Sequence, residues 1–345
     1  MGEFDLIERY FKRPARSAPS GPGDAADPGA VALGIGDDGA LLQPLPGTQL
    51  AISSDMLVEG RHFFPDVDPA HLGHKALAVN LSDLAACGAK PLAFTLALAL
   101  PRAEEAWLAA FSRGLFALAD AHGCRLIGGD TTQGPLNICI TVFGEVPVVA
   151  GKSQALLRSG ARPGDDLYVS GTLGDARLAL EALRGTVQLP AEVLAQARQR
   201  LEQPTPRVAL GQALRGIASA AIDVSDGLLG DLGHVLKSSQ CGVTIDTSIA
   251  IKLIAVSAIK QWTSGQFASE FSVQNRLTWV LAGGDDYELL FTAPASERAA
   301  VLDAARASAT PVTRIGRIDS EPGLRLVDAD GQAVSGEFSS FDHFK

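Results

Sequence analysis

Five short segments place acidic or hydroxyl residues together in this chain, and they restrict its fold more than any other feature. The segments are Gly34-Ile35-Gly36-Asp37-Asp38, Ser53-Ser54-Asp55, Ser82-Asp83, Gly129-Asp130 and Asp223-Val224-Ser225-Asp226. In four of the five, an apolar, strand-like run leads into the acidic residues. Neighbouring ionised carboxylates repel each other unless a cation lies beside them. We therefore expect the fold to bring these segments together around divalent metal ions.

Each segment also has a simpler interpretation when it is taken alone. Asp37 and Asp38 suit a turn, and the two serine-containing segments suit helix caps, as does the segment at 223–226. Asp130 follows two glycines, which allow a ligand to approach the backbone closely. The presence of all five in one chain favours a metal site. Carboxylate and hydroxyl oxygens without nearby cysteine ligands favour Mg²⁺ over zinc or iron.

Length and charge limit the possible classes of protein. A chain of 345 residues is more often two domains than one. Its composition, 46% hydrophobic and 20% charged, is that of a globular protein with large cores. The net charge of −10 and the lack of a Lys/Arg-rich run argue against a nucleic-acid partner. A small phosphate ligand stays possible if metal ions mediate its binding.

Cysteine spacing and hydropathy predict a cytoplasmic protein with no membrane partner. The four cysteines are scattered without a C-x-x-C pair, which is typical of buried thiols in a reducing compartment. The longest apolar run, residues 92–100, is too short to span a bilayer. The first residues lack the basic flank and apolar core of a signal peptide.

Hydrophobic periodicity predicts an α/β chain of the α+β type, with mixed sheets and helices packed on one face. In the first half, the predicted strands cover residues 50–55, 91–100, 125–130 and 137–146, and the predicted helices cover residues 70–88 and 103–122. A boundary is predicted at 147, which divides the chain into domains 1–147 and 148–345. In the second domain, residues 279–282 (Trp-Val-Leu-Ala) are predicted to form a strand. The Pro-, Ala-, Gly- and Ser-rich residues 13–30 are predicted to form a mobile loop and are the best candidate for a lid.

Two familiar phosphate-binding motifs are rejected. Gly34, Gly36 and Gly39 match the spacing of a dinucleotide fingerprint, but prolines follow within ten residues where that motif needs a helix. Gly151-Lys152-Ser153 resembles the end of a P-loop, but the glycine required five residues earlier is Val146. ATP would therefore bind without either cradle.

Three further residues give weaker signals. His62 follows a loop-like segment and suits either a surface position or a ligand contact. Arg158 suits either a solvated charge at a strand end or a phosphate clamp. Phe341, near the C-terminus, suits either a core position or a stacking platform.

Nine segments, in order along almost the whole chain, together resemble the thiamine-monophosphate kinase family. They are Gly2-Glu-Phe-Asp-Leu-Ile7, Leu33-Gly-Ile-Gly-Asp-Asp38, Ile52-Ser-Ser-Asp55, Lys75-Ala-Leu-Ala-Val-Asn-Leu-Ser-Asp-Leu-Ala-Ala86, Leu126-Ile-Gly-Gly-Asp-Thr-Thr132, Arg158-Ser-Gly-Ala161, Ala221-Ile-Asp-Val-Ser-Asp-Gly227, Gly283-Gly-Asp-Asp-Tyr-Glu-Leu289 and Phe341-Asp-His-Phe344. The resemblance implies the two-domain fold of the aminoimidazole ribonucleotide synthetase-like superfamily. It also implies a homodimer formed through the N-terminal domains.

The same resemblance implies an activity and a set of site residues. The activity is Mg²⁺-assisted, in-line transfer of the ATP γ-phosphoryl group to thiamine monophosphate, which yields thiamine diphosphate. The implied ligands of several Mg²⁺ ions are Asp38, Ser53, Ser54, Asp55, Asp83, Asp130, Asp223 and Asp226. The residues assigned to ATP are Gly129, Asp130, Arg158, Ser225 and His122, and those assigned to the thiamine phosphate are His62, Asp285 and Phe341. Residues 1–147 would bind ATP and Mg²⁺ and form the dimer, and residues 148–345 would complete the nucleotide and substrate site.

The chain departs from the family pattern at four of these positions. Ser54 stands where the family often has threonine, so a hydroxyl is kept. Asp285 stands where glutamate is frequent, which shortens the side chain by one methylene. Phe341 replaces a frequent tryptophan or tyrosine, and His122 replaces a tyrosine often found near the adenine.

The implied reaction needs no general base. The acceptor is a phosphate monoester with a second pKa near 6, so it is mostly dianionic at neutral pH. Asp38, Asp130 and Asp223 would support transfer by holding cations that offset the repulsion between two polyanions. Two alternatives stay open: an ATP-dependent synthetase of the same superfamily, and a non-catalytic Mg-nucleotide-binding module.

Overall fold

The computed structural model describes residues 2–13, 30–255, 271–336 and 338. The chain divides into two compact units, one comprising Met1–Leu84 and Ala89–Gln154, the other Ala85–Gly88 and Ala155–Lys345. The first unit thus ends at Gln154, compared with the sequence-based boundary at 147. The roles assigned to the two domains stay predictions. The loop predicted at 13–30 falls outside the described residues except at its ends.

The chain up to residue 154 forms a mixed sheet with helices. The described strands are β1 (Val31–Leu33), β2 (Leu41–Leu42), β3 (Thr48–Val58), β4 (Lys90–Leu100), β5 (Arg125–Gln133), β6 (Asn137–Val149) and β7 (Lys152–Ser153). The described helices are α1 (Glu3–Leu6), continued by a π-helical turn over Ile7–Phe11, then α2 (Pro69–Ala86) and α3 (Glu105–Ala121). The main sheet has the order β3-β6-β4-β5, with β7 beside β6. Only the β4–β5 pairing is parallel.

Side-chain burial shows that this sheet is covered on one face. On β6, Ile138, Ile140 and Val142 are buried, whereas the alternating Cys139 and Thr141 are half-buried. Since successive side chains of a strand point to opposite faces, one face packs on the core and the other does not. The largest fully buried side chains of this core are Leu72, Leu77, Leu81, Leu84, Phe94, Leu98, Leu108, Phe111, Leu115 and Ile138.

The chain beyond residue 154 forms a second mixed sheet. Its described strands are β8 (Asp166–Ser170), β9 (Ala220–Asp223), β10 (Gly242–Asp246), β11 (Leu289–Ala293), β12 (Val312–Asp319) and β13 (Gly323–Val327). Its described helices are α4 (Asp175–Leu183), α5 (Ala191–Glu202), α6 (Val208–Ala213), α7 (Leu228–Ser239), α8 (Thr247–Ala250), α9 (Val273–Ala282) and α10 (Arg298–Ala307). The strand order is β13-β10-β12-β8-β11-β9. None of the helices in the described ranges is long and apolar enough to cross a membrane.

The strand predicted at residues 279–282 is wrong, because this segment is the last turn of α9. The helix starts after Ser272, whose hydroxyl accepts a hydrogen bond from the backbone N–H of Asn275 at 3.1 Å. Trp279, Val280 and Leu281 are all buried. A helix end buried on all sides reads as a continuous apolar run, which periodicity cannot distinguish from a buried strand.

Asp166 is a buried carboxylate that joins β8 to two other elements. It is 1% exposed, and it accepts hydrogen bonds from Arg298 at 2.5 and 3.0 Å and from Arg314 at 3.0 Å. The bond from Arg298, and then that from Arg314, hold the pKa of Asp166 below its usual range despite burial. The ionised carboxylate therefore stabilises the folded state.

The substitution Asp166→Asn tests this stabilisation. In the wild type, the pKa of Asp166 is lower in the folded state than in the unfolded state. The stabilisation is therefore present above the unfolded-state pKa of about 4, and it is lost as the pH falls through the folded-state pKa. We expect the free energy of unfolding at neutral pH to fall by about 1–2 kcal/mol, a value limited by the half-exposed guanidinium groups. Urea unfolding at neutral and acidic pH should show the difference from wild type shrinking with acid. Asp303→Asn, which breaks an exposed pair with Arg306, is the control; a pH-independent effect of Asp166→Asn would contradict the assignment.

Candidate active site

The metal ligands predicted from the sequence lie in both compact units. Asp38, Ser53, Ser54, Asp55, Asp83 and Asp130 belong to the first unit, and Asp223 and Asp226 belong to the second. Within the described ranges, no three His, Cys, Asp or Glu side chains are grouped so that they could hold a metal ion by themselves. Mg²⁺ usually binds through one or two protein carboxylates together with water and substrate phosphates. The predicted ligands are all aspartate and serine residues, so they offer only oxygen donors, which fits Mg²⁺.

Strand β3 and helix α2 bring together three of the predicted ligands. Ser53 and Asp55 lie on the same face of β3, since they are two residues apart. The Ser53 hydroxyl donates a short hydrogen bond to a carboxylate oxygen of Asp83 on α2. The backbone N–H of Asp55 donates to the side-chain oxygen of Asn80, also on α2, at 3.0 Å. Strand and helix are therefore joined by polar contacts at the predicted ligands.

Ser54 lies on the opposite face of β3 from Ser53 and Asp55. Its hydroxyl donates to the carbonyl of Ile140 at 3.2 Å and lies 2.9 Å from the hydroxyl of Thr141 on β6. The structure therefore does not bring the Ser54 side chain to Asp83.

Asp37 and Asp38 are exposed in the loop after β1. The backbone N–H of Asp38 donates to the carboxylate of Asp37 at 2.9 Å. Asp37 thus stabilises the turn, as aspartate side chains commonly do. Asp38 is the member of the pair whose carboxylate faces solvent without this local bond.

Gly129 and Asp130 lie in the middle of β5, which pairs with β4. A Cβ atom on Gly129 would lie 1.8 Å from the carbonyl oxygen of Leu96, and its φ of +146° is one that side chains rarely adopt. The adjacent strand therefore already requires glycine here, whether or not a ligand approaches it. Asp130 follows directly and is exposed.

His62 occupies the turn after β3. Its Nδ1 accepts a hydrogen bond from the backbone N–H of Val58 at 3.0 Å, so the neutral ring carries its proton on Nε2. The ammonium group of Lys75, on α2, donates to the His62 carbonyl at 3.4 Å, and Lys75 is only 3% exposed. A buried cation is thus placed beside the residue assigned to the thiamine phosphate.

His122 caps the C-terminus of α3 through its backbone N–H. Burial lowers the pKa of His122, and the charge of nearby His74 lowers it further. Both effects favour the neutral form of the ring. A neutral ring suits contact with an uncharged base, the part of ATP to which this position is assigned.

The second unit brings the segment at 223–227 against the segment at 283–288. The backbone N–H of Asp285 donates to the carbonyl of Ser225, and the N–H of Tyr287 donates to the carbonyl of Val224, both at 2.8 Å. A Cβ atom on Gly284 would lie 2.4 Å from the Ser225 carbonyl oxygen, so only glycine allows this approach. The residue assigned to substrate and those assigned to ATP and metal are therefore neighbours.

Two residues of the second segment have left-handed backbones. The φ angles are +67° for Asp285 and +51° for Tyr287. Such conformations cost on the order of 1–3 kcal/mol each and occur often at binding sites. The surrounding hydrogen bonds hold Asp285 in this conformation.

Two buried carboxyl groups that follow Asp285 in the chain hold that segment. Both oxygens of Asp286 accept from the backbone N–H of Gly174, at 3.1 and 2.9 Å, and burial raises the pKa of Asp286 well above its usual value. Glu288 pairs with Arg200 at 2.8 Å and with Arg207 at 2.6 Å. Neither carboxylate is exposed to solvent. Both are therefore structural supports of the segment.

Asp231, in the first turn of α7, holds the other segment. One of its oxygens accepts from the backbone N–H groups of Ser225, Asp226 and Gly227, at 3.0, 3.1 and 3.1 Å. Burial raises the pKa of Asp231 to about 7, and the three amide bonds oppose that rise. Asp231 is 4% exposed.

Arg158 is exposed, and its guanidinium forms no ion pair with any residue in the described parts of the chain. Its backbone carbonyl accepts from the Ser239 hydroxyl at 3.2 Å. The side chain is therefore available to an anion, which fits a phosphate clamp. Phe341 lies outside the described residues.

Sequence reasoning missed the residues that support the site. These are Asn80, Lys75, Asp231, Asp286 and Glu288. The only local signal was a charged or amide residue within an otherwise apolar helix or strand, as at Lys75, Asn80 and Asp231. The partners of Asp286 and Glu288 lie far away in the chain, so no spacing rule indicates them.

Comparison with known proteins decides the family. Residues 36–146 match the model of the AIR synthase related protein, N-terminal domain, and residues 162–329 match that of the C-terminal domain. The thiamine-monophosphate kinase of Salmonella typhimurium strain LT2 is 47% identical over 345 residues, which cover 99% of this chain and 98% of that protein. The chain belongs to the thiamine-monophosphate kinase family.

Solved structures of the thiamine-monophosphate kinase family share the fold. The enzyme from Stenotrophomonas maltophilia K279a superposes with a TM-score of 0.76 at 45% identity, over 88% of this chain and 92% of that chain. AaThiL complexed with AMPPCP and TMP gives a TM-score of 0.71 at 29% identity, over 90% and 92% of the two chains. The predicted resemblance and the two-domain fold with mixed sheets are thus confirmed.

Substitution of Gly129 should disturb the sheet that carries Asp130. We expect Gly129→Ala to lower the free energy of unfolding by about 2–3 kcal/mol or more, because the new methyl group meets the Leu96 carbonyl and the backbone is strained. Gly128→Ala is the matched control, since a Cβ atom there has no neighbour within 4 Å and its φ is ordinary. Urea unfolding of both variants measures the difference. Equal stability of the two would show that β4 and β5 do not approach as described.

Proposed function

We propose that this chain transfers the γ-phosphoryl group of ATP to the phosphate of thiamine monophosphate. A non-bridging oxygen of the acceptor forms a bond to the γ-phosphorus, the bond from that phosphorus to the β–γ bridging oxygen breaks, and ADP leaves. The products are thiamine diphosphate and ADP. The observation that carries the proposal is 47% identity to a thiamine-monophosphate kinase along almost the full length of both chains.

The ligands of a related structure support both substrates. AaThiL was solved with AMPPCP, an ATP analogue, and with TMP, which matches thiamine monophosphate as the acceptor. This chain keeps a half-exposed Asp285, held against Ser225, at the position assigned to that acceptor. We assign Gly129, Asp130, Arg158, Ser225 and His122 to ATP, and His62, Asp285 and Phe341 to the thiamine phosphate.

The oxygen donors suit magnesium ions. We propose that Asp38, Ser53, Asp55, Asp83, Asp130, Asp223 and Asp226 hold them. Ser54, which the sequence placed in this set, has its side chain on the opposite face of β3, against β6, and is left out. When bound, Mg²⁺ offsets the negative charge of the phosphates and of the transferred group. Among these residues, Ser53 and Asp83 already share a hydrogen bond, so their oxygens are fixed at one place before any ion arrives.

The protein itself need not move a proton. The acceptor phosphate is mostly dianionic at neutral pH, so its oxygen is a competent nucleophile without a base. The remaining work for the side chains is to bind, align and neutralise. Asp38, Asp130 and Asp223 support transfer in this way, with none of them acting as a general base.

The two domains would divide these roles. We assign ATP and Mg²⁺ binding, together with dimerisation, to residues 1–147, and completion of the nucleotide and substrate sites to residues 148–345. We place the enzyme in the cytoplasm. All four cysteines are free thiols, and Cys124 and Cys241 are buried, which suits a reducing compartment.

A turnover assay tests the activity. Purified protein is incubated with ATP and Mg²⁺, with and without thiamine monophosphate, and both ADP and thiamine diphosphate are measured. We expect ADP formation that depends on thiamine monophosphate and equals the thiamine diphosphate formed. Inorganic phosphate release without thiamine diphosphate would indicate a synthetase, and ATP binding without turnover would indicate a binding module; either result would overturn the proposal.

The substitution Asp130→Asn tests the metal assignment. Loss of one carboxylate charge should abolish measurable turnover while circular dichroism and the melting temperature stay close to those of wild type, because Asp130 is exposed. Asp66→Asn, a change at another exposed aspartate of the same unit, is the control and should be fully active. A fully active Asp130→Asn enzyme would remove this residue from the metal site.

We further propose a homodimer that forms through the open face of the first sheet. Leu50, Ile52 and Met56 alternate along β3 and are 42%, 60% and 52% exposed. They share one face of the strand with Ser54. An apolar stripe of this kind on an edge strand is typical of a surface that another chain covers.

A charge on this face should separate the subunits. We expect the wild type to sediment at twice the chain mass of 35.9 kDa and Ile52→Glu to sediment at that mass itself, because a dimer would bury the new carboxylate without a partner. Leu302→Glu is the control, since Leu302 is similarly exposed, at 51%, on α10. A monomeric wild type, or a dimeric Ile52→Glu protein, would contradict the proposal.

A further inference from the structure

Three consecutive backbone amides point at one side chain in the second unit. The N–H groups of Ser225, Asp226 and Gly227 all donate to the same oxygen of Asp231, at 3.0–3.1 Å. Successive amides that converge in this way normally form a concave site for an anion. Here the group that they bind is the side-chain carboxyl of Asp231, from the helix that follows. The segment is therefore closed by its own chain and does not use these amides for a phosphate.

The helix α7 has no cap of the usual kind. Its N-cap is Gly227, which has no side chain to accept the orphan amides. The side chain of Asp231, which is 4% exposed, reaches back beyond the start of the helix and accepts instead from the amides of Ser225, Asp226 and Gly227. One buried group thus accepts all three amide hydrogen bonds on this side of the segment.

The same segment is held from its other side by residues 283–288. The carbonyls of Ser225 and Val224 accept from the N–H groups of Asp285 and Tyr287. Asp231 thus fixes the amide side of the segment, and the neighbouring segment fixes the carbonyl side. With both sides fixed, the directions of the Ser225 and Asp226 side chains are set by the backbone.

We propose that Asp231 is a positioning residue, which orients Ser225 and Asp226 for the nucleotide and its metal ion. This inference rests on the proposed function, because those two residues take their roles from it. Asp231 itself touches neither substrate. Its loss would leave three amides without an acceptor, and the segment would relax toward water.

The expected effect is on metal dependence more than on stability. Removal of a group that orients metal ligands typically weakens metal affinity or activity by about 10–100-fold. We therefore expect Asp231→Ala to raise the Mg²⁺ concentration for half-maximal turnover by about tenfold or more, with activity recovering at high Mg²⁺. Asp231→Asn keeps an oxygen acceptor but loses its charge, and charge-assisted bonds are about twice as strong as neutral ones. It should show a smaller shift, about threefold or more.

Asp246 provides a matched control in the same unit. Its carboxylate accepts from the backbone N–H groups of Ser248 and Ile249 at 2.9 and 3.3 Å and caps the short helix α8. No residue assigned to ATP, metal or thiamine phosphate lies in this segment. Asp246→Ala should therefore lower the melting temperature without changing the Mg²⁺ dependence.

The experiment compares the full-length wild type with Asp231→Ala, Asp231→Asn and Asp246→Ala. Turnover is titrated with Mg²⁺. In addition, calorimetry without thiamine monophosphate measures the dissociation constant of AMPPCP at a fixed, limiting Mg²⁺ concentration, and hydrogen exchange measures the protection of residues 225–227. We expect weaker binding and faster exchange only in the two Asp231 variants.

The outcomes separate this inference from the proposed function. Unchanged Mg²⁺ dependence and AMPPCP affinity in Asp231→Ala, with a fall in melting temperature like that of Asp246→Ala, would overturn the positioning role. If Asp231→Ala does not fold, Asp231→Asn decides by the same criterion. An inactive wild type whose AMPPCP binding still weakens in the Asp231 variants would overturn the proposed kinase while supporting the positioning role.

Discussion

The burial of carboxyl groups is the constraint on which the second unit depends. A carboxylate removed from water must find hydrogen bonds or a cation, because an unpaired buried charge is strongly destabilising. The fold meets this need in two ways. Asp231 and Asp286 accept from backbone amides, whereas Glu288 and Asp166 face pairs of arginines. The contacts of Asp231, Asp286 and Glu288 fix the two segments that meet at Ser225 and Asp285, so the geometry of the candidate site follows from how the fold holds these buried acids.

The exposed aspartates belong to a different class. Asp38 and Asp130 lie at the surface, where water supports their charge until a cation arrives. The sequence alone does not distinguish these aspartates from Asp231 and Asp286, since each of the four lies one or two residues after a glycine. The structure separates them by burial and by hydrogen-bond partners. Metal binding is proposed for a set of aspartates that includes these two, whereas Asp231 and Asp286 support the backbone.

Much of the fold could be predicted from the sequence, and the failures have physical causes. Alternation along β3 and β6 and helical spacing along α2 and α3 are local patterns, and they indicated the correct elements. The end of α9 was mistaken for a strand because burial on all sides removes its periodicity. For Ser54, the two-residue repeat of a strand already implied a face opposite to Ser53. The Ser53-Ser54-Asp55 motif nevertheless suggested Ser54 as a metal ligand, because a motif records which residues are adjacent in the chain and not the direction of their side chains.

The support of the site could not be predicted in the same way. The ion pairs of Glu288 join residues that are 81 and 88 positions apart, and Gly174 meets Asp286 from a distance of 112 positions. Such pairs depend on the finished topology of the sheet. The sequence suggested candidate groups for the chemistry because residue type indicates them, and their roles stay predictions. The sequence did not indicate the residues that support these groups, because many kinds of polar residue can form such supporting hydrogen bonds.

The close contact between Gly129 and Leu96 has a consequence for ligand binding. Asp130 is carried by a strand in the sheet and not by a loop, and that strand cannot shift while the Leu96 carbonyl lies against it. The backbone entropy of residue 130 is therefore lost when the protein folds and not when a ligand arrives. A binding site whose backbone is already ordered binds its ligand more tightly than one that must become ordered on binding. Because Gly129 has no side chain, β5 can pair closely with β4 at this point, and the backbone of the neighbouring Asp130 is held in the sheet.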